Sequence, residues 1–261
     1  MVIMNMAYLK SSWGGWWWDM NNWAHAQSVQ LSWTFYTGVS MSPNGTKLFA
    51  SSTQNWYIYQ RTLTTPYDLS TMTSQISKQV GSAWQLEDLW FKPDGTKAYA
   101  LTWSNASPQI KELSLATAWD INSYTQQTYS LSAPKSLRCI YISDDGGNLY
   151  CWSSTYDLYH YTMSTPRNLS TLTSDWTFAQ TMAWMWFKPD WTMLLYSVGW
   201  TNKLNYRTLS TAWDISTLWT AQEVSLHGQD EWWGLWFNNV GTIALWIGWE
   251  WNTNYVTKYT L

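Results

Sequence analysis

The sequence predicts an all-β fold built from repeated antiparallel units, and two observations support this prediction. The first is a turn phrase, LWFKPDGTKAY at 89–99, in which a Pro-Asp-Gly-Thr turn separates two short apolar runs. Proline presets φ at the start of a tight turn and glycine supplies a positive φ, so the phrase predicts a β-hairpin. The second observation is that the phrase recurs with its marker residue at positions 43, 93, 144, 189 and 239. A period of about fifty residues is typical of a repeat architecture.

The other four copies of the turn differ in how well they keep the phrase. They read MSPNGTKLF at 41–49, ISDDGGNLY at 142–150, FKPDWT at 187–192 and FNNVGT at 237–242. In the fourth copy, Trp191 stands where Gly45, Gly95, Gly146 and Gly241 stand in the others. A bulky residue is disfavoured at positive φ, so this copy departs from the chemistry of the turn.

A polar loop forms a second repeated marker between the turns. Its copies read TLTTPYDLST at 62–71, SLATAWDIN at 114–122, TMSTPRNLST at 162–171 and TLSTAWDIST at 208–217. An alternating run precedes each loop and a strand-like run follows it, so each repeat contains four short strands. Four antiparallel strands in about fifty residues are the unit of a β-propeller blade, and the sequence therefore predicts a five-bladed β-propeller.

The two ends of the chain complete the fifth blade in this prediction. The last repeat stops at Leu261, which matches Leu63, so it contains three strands and lacks a fourth. At the N-terminus, Asp19 precedes Pro43 by 24 residues, the spacing that also separates Asp120 from Asp144 in the second and third repeats. We therefore expect a strand at about 23–33 to join the C-terminal blade and close the ring, which leaves no open sheet edge.

This register divides the chain into an N-terminal arm, residues 1–17, and a single propeller domain, residues 18–261. The arm contains Trp13, Trp16 and Trp17. These side chains are too apolar for a free tail, so we expect them to contact a partner or a neighbouring copy.

Composition excludes several classes of function. The net charge of −3 provides no basic surface for nucleic acid. No apolar run approaches the roughly 18 residues of a membrane helix, so we expect no membrane insertion, and the first residues lack the pattern of a secretory signal. Charged residues make up 12% of the chain, about half the usual share, and 25 residues are Trp. This composition is typical of a β-rich extracellular or particle-bound protein.

The repeats resemble those of a known group of proteins. The phrases SPNGTKL at 42–48 and LSTAWDIST at 209–217 resemble the repeats of phage-encoded β-propellers, including propeller regions of virion fibres and capsid decorations. Bacterial surface-layer propellers are similar more loosely. The resemblance covers residues 18–261. It implies a display module at a virion surface or outside the cell, without known catalytic residues, whose partners are other virion proteins or copies of itself. Surface glycans are a further candidate partner.

Aromatic residues are the first candidate binding residues. Tyr67, Trp119 and Trp213 each stand just before the Asp of a polar loop, where rings could stack on sugars or fill gaps between blades. Trp90, Trp186 and Trp236 occupy an inner-strand position where the related propellers carry a small residue. They predict an aromatic lining of the central channel.

Acidic residues provide the alternative of an enzyme. Glu87 and Asp88 precede the inner strand of the second blade, and Asp230 and Glu231 approach that of the fifth. Five-bladed glycosidases use carboxylates at the channel mouth. Because no catalytic motif accompanies these acids, the prediction is a non-enzymatic protein, with a lectin-like propeller and a glycosidase as the alternatives.

The remaining reactive residues indicate neither a metal nor a cofactor. His25, His160 and His227 fall at three different repeat positions, so the repeat does not bring them together as metal ligands. Cys139 and Cys151 flank the third turn, where a cross-strand disulfide and two small buried thiols are both conceivable. The thiols are favoured, since proteins assembled inside cells seldom depend on disulfides.

Overall fold

A computed structural model contains five four-stranded antiparallel sheets, and the chain is a five-bladed β-propeller as predicted. The structure describes residues 24–31, 36–80, 86–102, 108–131, 137–153, 157–179, 184–188, 190, 192–197, 203–211, 215–217, 221–225, 231–238, 241–250 and 253–260. The predicted arm, residues 1–17, lies outside this part of the chain, and with it Trp13, Trp16 and Trp17.

Each sheet is one blade, and its strands are numbered along the chain. The first sheet consists of β2 (Tyr36–Met41), β3 (Lys47–Ser52), β4 (Tyr57–Leu63) and β5 (Met72–Gln79). The second consists of β6 (Leu86–Phe91), β7 (Lys97–Thr102), β8 (Gln109–Thr117) and β9 (Asp120–Ser130). The third consists of β10 (Leu137–Ile142), β11 (Asn148–Ser153), β12 (Asp157–Met163) and β13 (Leu172–Ala179).

The last two sheets follow the same order. The fourth consists of β14 (Trp184–Phe187), β15 (Met193–Ser197), β16 (Lys203–Thr208) and β17 (Gln222–Ser225). The fifth consists of β18 (Glu231–Phe237), β19 (Ile243–Glu250), β20 (Thr253–Thr260) and β1 (Ala24–Gln30). Short 3-10 turns at Leu69–Thr71, Leu169–Thr171 and Ile215–Thr217 lie within the polar loops.

The Pro-Asp-Gly-Thr phrase forms the turn that its residues predict. Gly45 and Gly95 have φ of 70° and 71°, in the left-handed region. The side chain of Asp94 accepts hydrogen bonds from the backbone N–H of Thr96 at 2.9 Å and from its hydroxyl at 2.7 Å. The turn is therefore held by its own residues, which explains why it can be recognised from sequence alone.

The outer strand of the fifth sheet comes from the other end of the chain. β1 pairs antiparallel with β20, with Ser28 opposite Thr257 and Val29 opposite Val256. The hydroxyls of Ser28 and Thr257 lie 3.0 Å apart. That this seam holds the ring together stays a prediction.

The core lies between neighbouring sheets around the ring. Four clusters of buried apolar residues fill these junctions, and the inner strands β2 and β10 are buried almost throughout. Cys139 and Cys151 are both buried and free. Their side chains belong to different clusters on opposite faces of the third sheet, so the disulfide alternative is not formed. The part of the chain described contains no helix long and apolar enough to cross a bilayer.

Candidate functional site

The inner strands of the five sheets, β2, β6, β10, β14 and β18, line a central channel. The pairing register shifts by one residue around Thr37, Glu87 and Arg138, so each stands at a β-bulge at an equivalent repeat position. A bulge changes the direction of a side chain, and such bulges are frequent near sites. Here the bulged residues bond to a neighbouring sheet. The Thr37 hydroxyl, for example, donates to the Leu86 carbonyl at 3.0 Å.

Aromatic residues line much of the described part of the channel. Trp90, Trp186 and Trp236 line it where the sequence placed them, together with Tyr141. The Tyr141 ring lies 6.4 Å from the rings of both Trp90 and Trp186, centroid to centroid. The cavity that these described residues line is about 90 Å³. That volume holds a few water molecules and is well below the roughly 300 Å³ of a small-molecule pocket.

Glu87 and Arg138 form an ion pair across the second and third sheets. Nη1 of Arg138 lies 3.0 and 2.9 Å from the two oxygens of Glu87. The Glu87 side chain is fully buried, whereas that of Arg138 is 29% exposed. Burial raises the pKa of the Glu87 carboxyl, and the guanidinium charge and hydrogen bonds of Arg138 oppose that shift. Arg138 therefore offsets part of the cost of burying the Glu87 carboxylate away from water.

Asp88 links three sheets at the next position. Its carboxylate accepts from the backbone N–H of Leu89 at 2.8 Å and from that of Ile140, in the third sheet, at 3.0 Å. A Cβ added at Gly38, in the first sheet, would lie 2.5 Å from an Asp88 oxygen, so the close approach requires glycine there. Burial raises the pKa of Asp88 to about 7, and the two N–H groups oppose this rise.

The two buried acids beside the channel are each bound by groups of the protein. Glycosidases place two carboxyl groups about 5–9.5 Å apart, one of them free to attack or to accept a proton. Glu87 is bound by Arg138, and Asp88 by two backbone amides. Asp144 also lines the channel, but it stands five positions beyond the equivalent of Asp88, roughly 15 Å along a strand. Asp230 and the side chain of Glu231 lie outside the described residues.

Two of the three predicted ligand-binding aromatics cover the glycine turns of their own sheets. Tyr67 and Trp119 have φ of 60°, and their N–H groups donate to the carbonyls of Gly45 and Gly95 at 2.9 Å. The Tyr67 hydroxyl donates to the Pro43 carbonyl. Both side chains are half-buried, so the structure assigns them a packing contact while part of each ring stays exposed.

Trp119 also packs between sheets. Its ring stacks on Phe91 at 5.1 Å and lies 6.2 Å from Phe49 of the first sheet. In the third sheet the same position is held by Arg167, with φ of 57°. Its N–H donates to the Gly146 carbonyl at 2.8 Å. Trp213, the third predicted aromatic, lies outside the described residues. A ligand at Tyr67, Trp119 or Trp213 stays a prediction.

The histidines that the structure describes lie in different sheets. His25 is exposed and bonds to the Ser28 hydroxyl at 2.9 Å, while His160 is buried between Asp175 and Asn148 at 3.0 and 2.9 Å. Burial lowers the pKa of His160, against the opposing effect of Asp175. Within the described residues, no three His, Cys, Asp or Glu side chains are grouped to bind a metal. His227 lies outside them.

A second cavity lies between the second and third sheets, outside the channel. This interblade cleft has a volume of about 540 Å³. It is lined by Lys92, Lys97, Glu112, Ser114, Gln127, Tyr129, Pro166, Arg167 and Asn168. The repeat pattern does not predict this cleft. The available signal was the third polar loop, where Arg167 replaces the aromatic residue of the other copies and so places a cation at the junction.

Comparison with known proteins supports the fold and leaves the function open. No protein-family model matches the sequence, and no curated protein is similar enough to count as a relative. Among solved structures, the β-propeller domain of Cps50 (Swd1) from Myceliophteria thermophila is similar with a TM-score of 0.56 and 8% identity. It covers 92% of this chain and 99% of that one.

Two bacterial proteins are similar at lower scores. A functionally unknown protein from Desulfotomaculum acetoxidans has a TM-score of 0.51 at 14% identity, covering 85% of this chain and 68% of that one. A Bacteroides fragilis protein, proposed to be a 6-phosphogluconolactonase, has a TM-score of 0.51 at 16% identity. It covers 74% of this chain and 55% of that one, so the present chain spans about half its length. At these identities the similarity concerns the fold alone.

Proposed function

We propose that this chain is a non-enzymatic propeller that acts through contacts of its outer surface, as a display or structural protein of a virus particle. The observation that supports the absence of catalysis is the small cavity in the described part of the channel. Its cavity is about 90 Å³, and its buried acids are bound by Arg138 and by backbone amides. A substrate as large as a sugar phosphate would have no space beside these carboxylates.

The setting and the partners rest on the sequence. The SPNGTKL and LSTAWDIST phrases resemble those of virion propellers, and the arm with Trp13, Trp16 and Trp17 is the candidate contact with another virion protein or a second copy. Contact through an apolar arm would leave the ring itself free for display. Carbohydrate binding is a second candidate function, which the polar interblade cleft favours.

The experiment pairs an activity screen with a particle-binding assay. The purified protein is incubated with a panel of chromogenic glycosides and with 6-phosphogluconolactone, and we expect no turnover above buffer. Turnover that is lost in Glu87→Gln would contradict the proposal. Co-sedimentation with virus particles should be lost when residues 1–17 are removed. Unchanged co-sedimentation would rule out the arm as the contact, and absence of the intact chain from particles would rule out the virion setting.

A further inference from the structure

Two side chains of the fifth sheet form hydrogen bonds across its junction with the first sheet. Lys258 donates from Nζ to the Tyr67 carbonyl at 2.8 Å. Gln27 donates from Nε2 to the Asp68 carboxylate at 2.8 Å, and its Oε1 accepts from the Leu69 N–H at 3.0 Å. Gln27 and Lys258 stand opposite each other in the pairing of β1 with β20. Three hydrogen bonds thus join one sheet to the polar loop of the next.

The junction between the first and second sheets is closed in a related way. Oε1 of Gln60, a residue of β4, accepts from the Ile121 N–H at 2.9 Å, and the bond is buried. Ile121 holds the same place in its polar loop as the leucine bound at the preceding junction. In both cases a polar side chain of one sheet satisfies a backbone N–H of the next, as a buried donor requires.

Among the described residues, the junction between the second and third sheets lacks the bonds from these two positions, and a long bond from the Tyr99 hydroxyl to the Arg167 carbonyl, at 3.5 Å, joins it instead. Glu112 and Gln127 stand opposite each other at the register position that the lysine and glutamine hold in the fifth sheet. Each is bonded within its own sheet instead. Glu112 pairs with Lys97 at 2.6 Å, and Oε1 of Gln127 accepts from the Tyr129 hydroxyl at 2.6 Å. Neither side chain reaches the described residues of the third polar loop, and the interblade cleft occupies the space between them.

Hydrogen-bond donors dominate the cleft. The oxygens of the Gln127 and Asn168 amides are occupied, by Tyr129 and by Ser170 respectively. Among the described residues, neither amide NH2 group has an acceptor. The Leu169 N–H, which follows Asn168 directly, also has none within that part of the chain, although Leu169 is 3% exposed. The cleft therefore presents unbonded donors, whereas the equivalent donors at the other two junctions are bonded to the neighbouring sheet.

The charges of the cleft favour an anion. Lys92, Lys97 and Arg167 line it, together with the carboxylate of Glu112. Lys97 is paired with Glu112 and Lys92 with Asp94, each at 2.6 Å. Among the described residues this leaves Arg167, which donates to the Asp144 carbonyl, as the cation outside an ion pair. The lining contains the half-buried Tyr129 ring and no aliphatic side chain apart from a proline. A ligand that matches this surface carries a carboxylate, many hydroxyl acceptors and one apolar face for the ring.

We propose that the interblade cleft binds one unit of an acidic saccharide. The carboxylate of the sugar meets Lys97 and Arg167, its hydroxyls accept from Gln127 and Asn168, and its ring lies against Tyr129. A volume of about 540 Å³ is within the range of small-molecule sites. The inference rests on carbohydrate binding, the second candidate function, and does not depend on a virion setting.

The test measures binding by calorimetry with the intact chain. The probes are oligosaccharides containing glucuronate, galacturonate or sialate, with neutral oligosaccharides of equal length, inorganic phosphate and an acidic peptide as comparisons. Gln127→Glu places a carboxylate in the cleft from an exposed position and should weaken acidic-saccharide binding at least tenfold. Gln126→Glu is the matched control, because this exposed neighbour points to the other face of β9 and should leave affinity unchanged. Circular dichroism verifies that both variants fold.

The outcomes separate the occupants. Preference for an acidic saccharide, lost in Gln127→Glu and kept in Gln126→Glu, supports the proposal. No binding by any acidic saccharide at millimolar concentration overturns it, as does equal affinity for the neutral sugars. If inorganic phosphate binds with the same affinity as the acidic saccharides, the cleft is a simple anion site. If the acidic peptide binds more tightly than the saccharides, the cleft is a protein-binding site. Both results overturn the saccharide assignment. If an acidic saccharide binds equally to both variants, this cleft is not the binding site, and carbohydrate binding at another site is still supported.

Discussion

Arg138 of the third sheet lies 3.0 and 2.9 Å from the two carboxylate oxygens of Glu87 in the second sheet. The two residues are both bulged positions of inner strands, so the irregularity that directs each side chain also brings the pair together. The carboxylate is fully buried. Loss of these contacts between the two sheets would leave a buried charge unpaired, which is strongly unfavourable.

Replacing the cation should therefore destabilise the protein. Arg138→Met leaves the buried Glu87 carboxylate without its partner and should lower the free energy of unfolding by about 3 kcal/mol. Glu87→Gln in the same chain removes the stranded charge and should restore much of that loss. Urea unfolding of the two single variants and the double variant measures the coupling. Arg61→Met, at a partly exposed bond to Gln75, is the control and should change little. Additive losses in the double variant would show that the pair has no coupling.

Asp88 should make stability depend on pH in a definite direction. Its pKa is raised to about 7 in the folded protein and is about 3.9 in an unfolded chain. Between these values the folded state binds more protons than the unfolded state, so stability falls as pH rises from about 4 to about 7 and levels off above that. The stabilisation is complete below the unfolded pKa and is lost as pH passes through the folded pKa.

Asp88→Asn removes this titration. Because the amide resembles the protonated carboxyl, the free energy of unfolding of the wild type, measured in urea from pH 4.5 to pH 8.5, should be closest to that of the variant at low pH and should fall below it as pH rises. Groups common to both proteins cancel in the difference. Parallel curves across the whole range would mean that Asp88 has an ordinary pKa in the folded state.

The seam between β1 and β20 should carry much of the stability of the ring. Deleting residues 1–33 removes β1, exposes the edge of β20 and breaks the bonds from Gln27 to Asp68 and Leu69. We expect this deletion to lower the melting temperature far more than deletion of residues 1–16, which lie outside the repeat. Differential scanning calorimetry of the two truncated chains provides the comparison. Equal melting temperatures would show that the fifth sheet does not need its fourth strand.

Trp191 should be the least favourable residue of the five turns. The equivalent Gly45, Gly95, Gly146 and Gly241 have φ between 69° and 76°. Trp191 itself lies outside the described residues, but the repeat places it in the same turn. Trp191→Gly should raise the free energy of unfolding by about 1 kcal/mol, since left-handed φ is costly for a residue with a Cβ.

The reverse exchange is the control for that prediction. Gly95→Trp should destabilise by more, because a Cβ there would lie 2.1 Å from Nε1 of Trp119 as well as forcing a bulky residue to φ of 71°. Thermal denaturation of both variants tests the pair. Destabilisation by Trp191→Gly would show that the fourth turn has a geometry of its own.

Much of the fold could be read from the sequence because its signals are local. The Asp94 carboxylate bonds to Thr96 two residues away, so the turn residues alone specify the hairpin. The spacing of the turns then determined the number of sheets, and the strand at Ala24–Gln30 falls within the predicted 23–33. None of these inferences required knowledge of the side-chain contacts between one sheet and the next.

The tertiary structure alone decided which side chains meet across the junctions. Gln27 and Gln127 are the same residue type at the same register position, yet Gln27 bonds to the loop of the next sheet and Gln127 to Tyr129 of its own. Their different contacts depend on loops that lie far away in sequence. The repeat therefore determined the ring, and the packing of sheet against sheet decided where a junction closes and where a cleft remains. The reason is that a contact between sheets joins residues that are far apart in the chain. Such a contact produces no local sequence pattern from which it could be predicted.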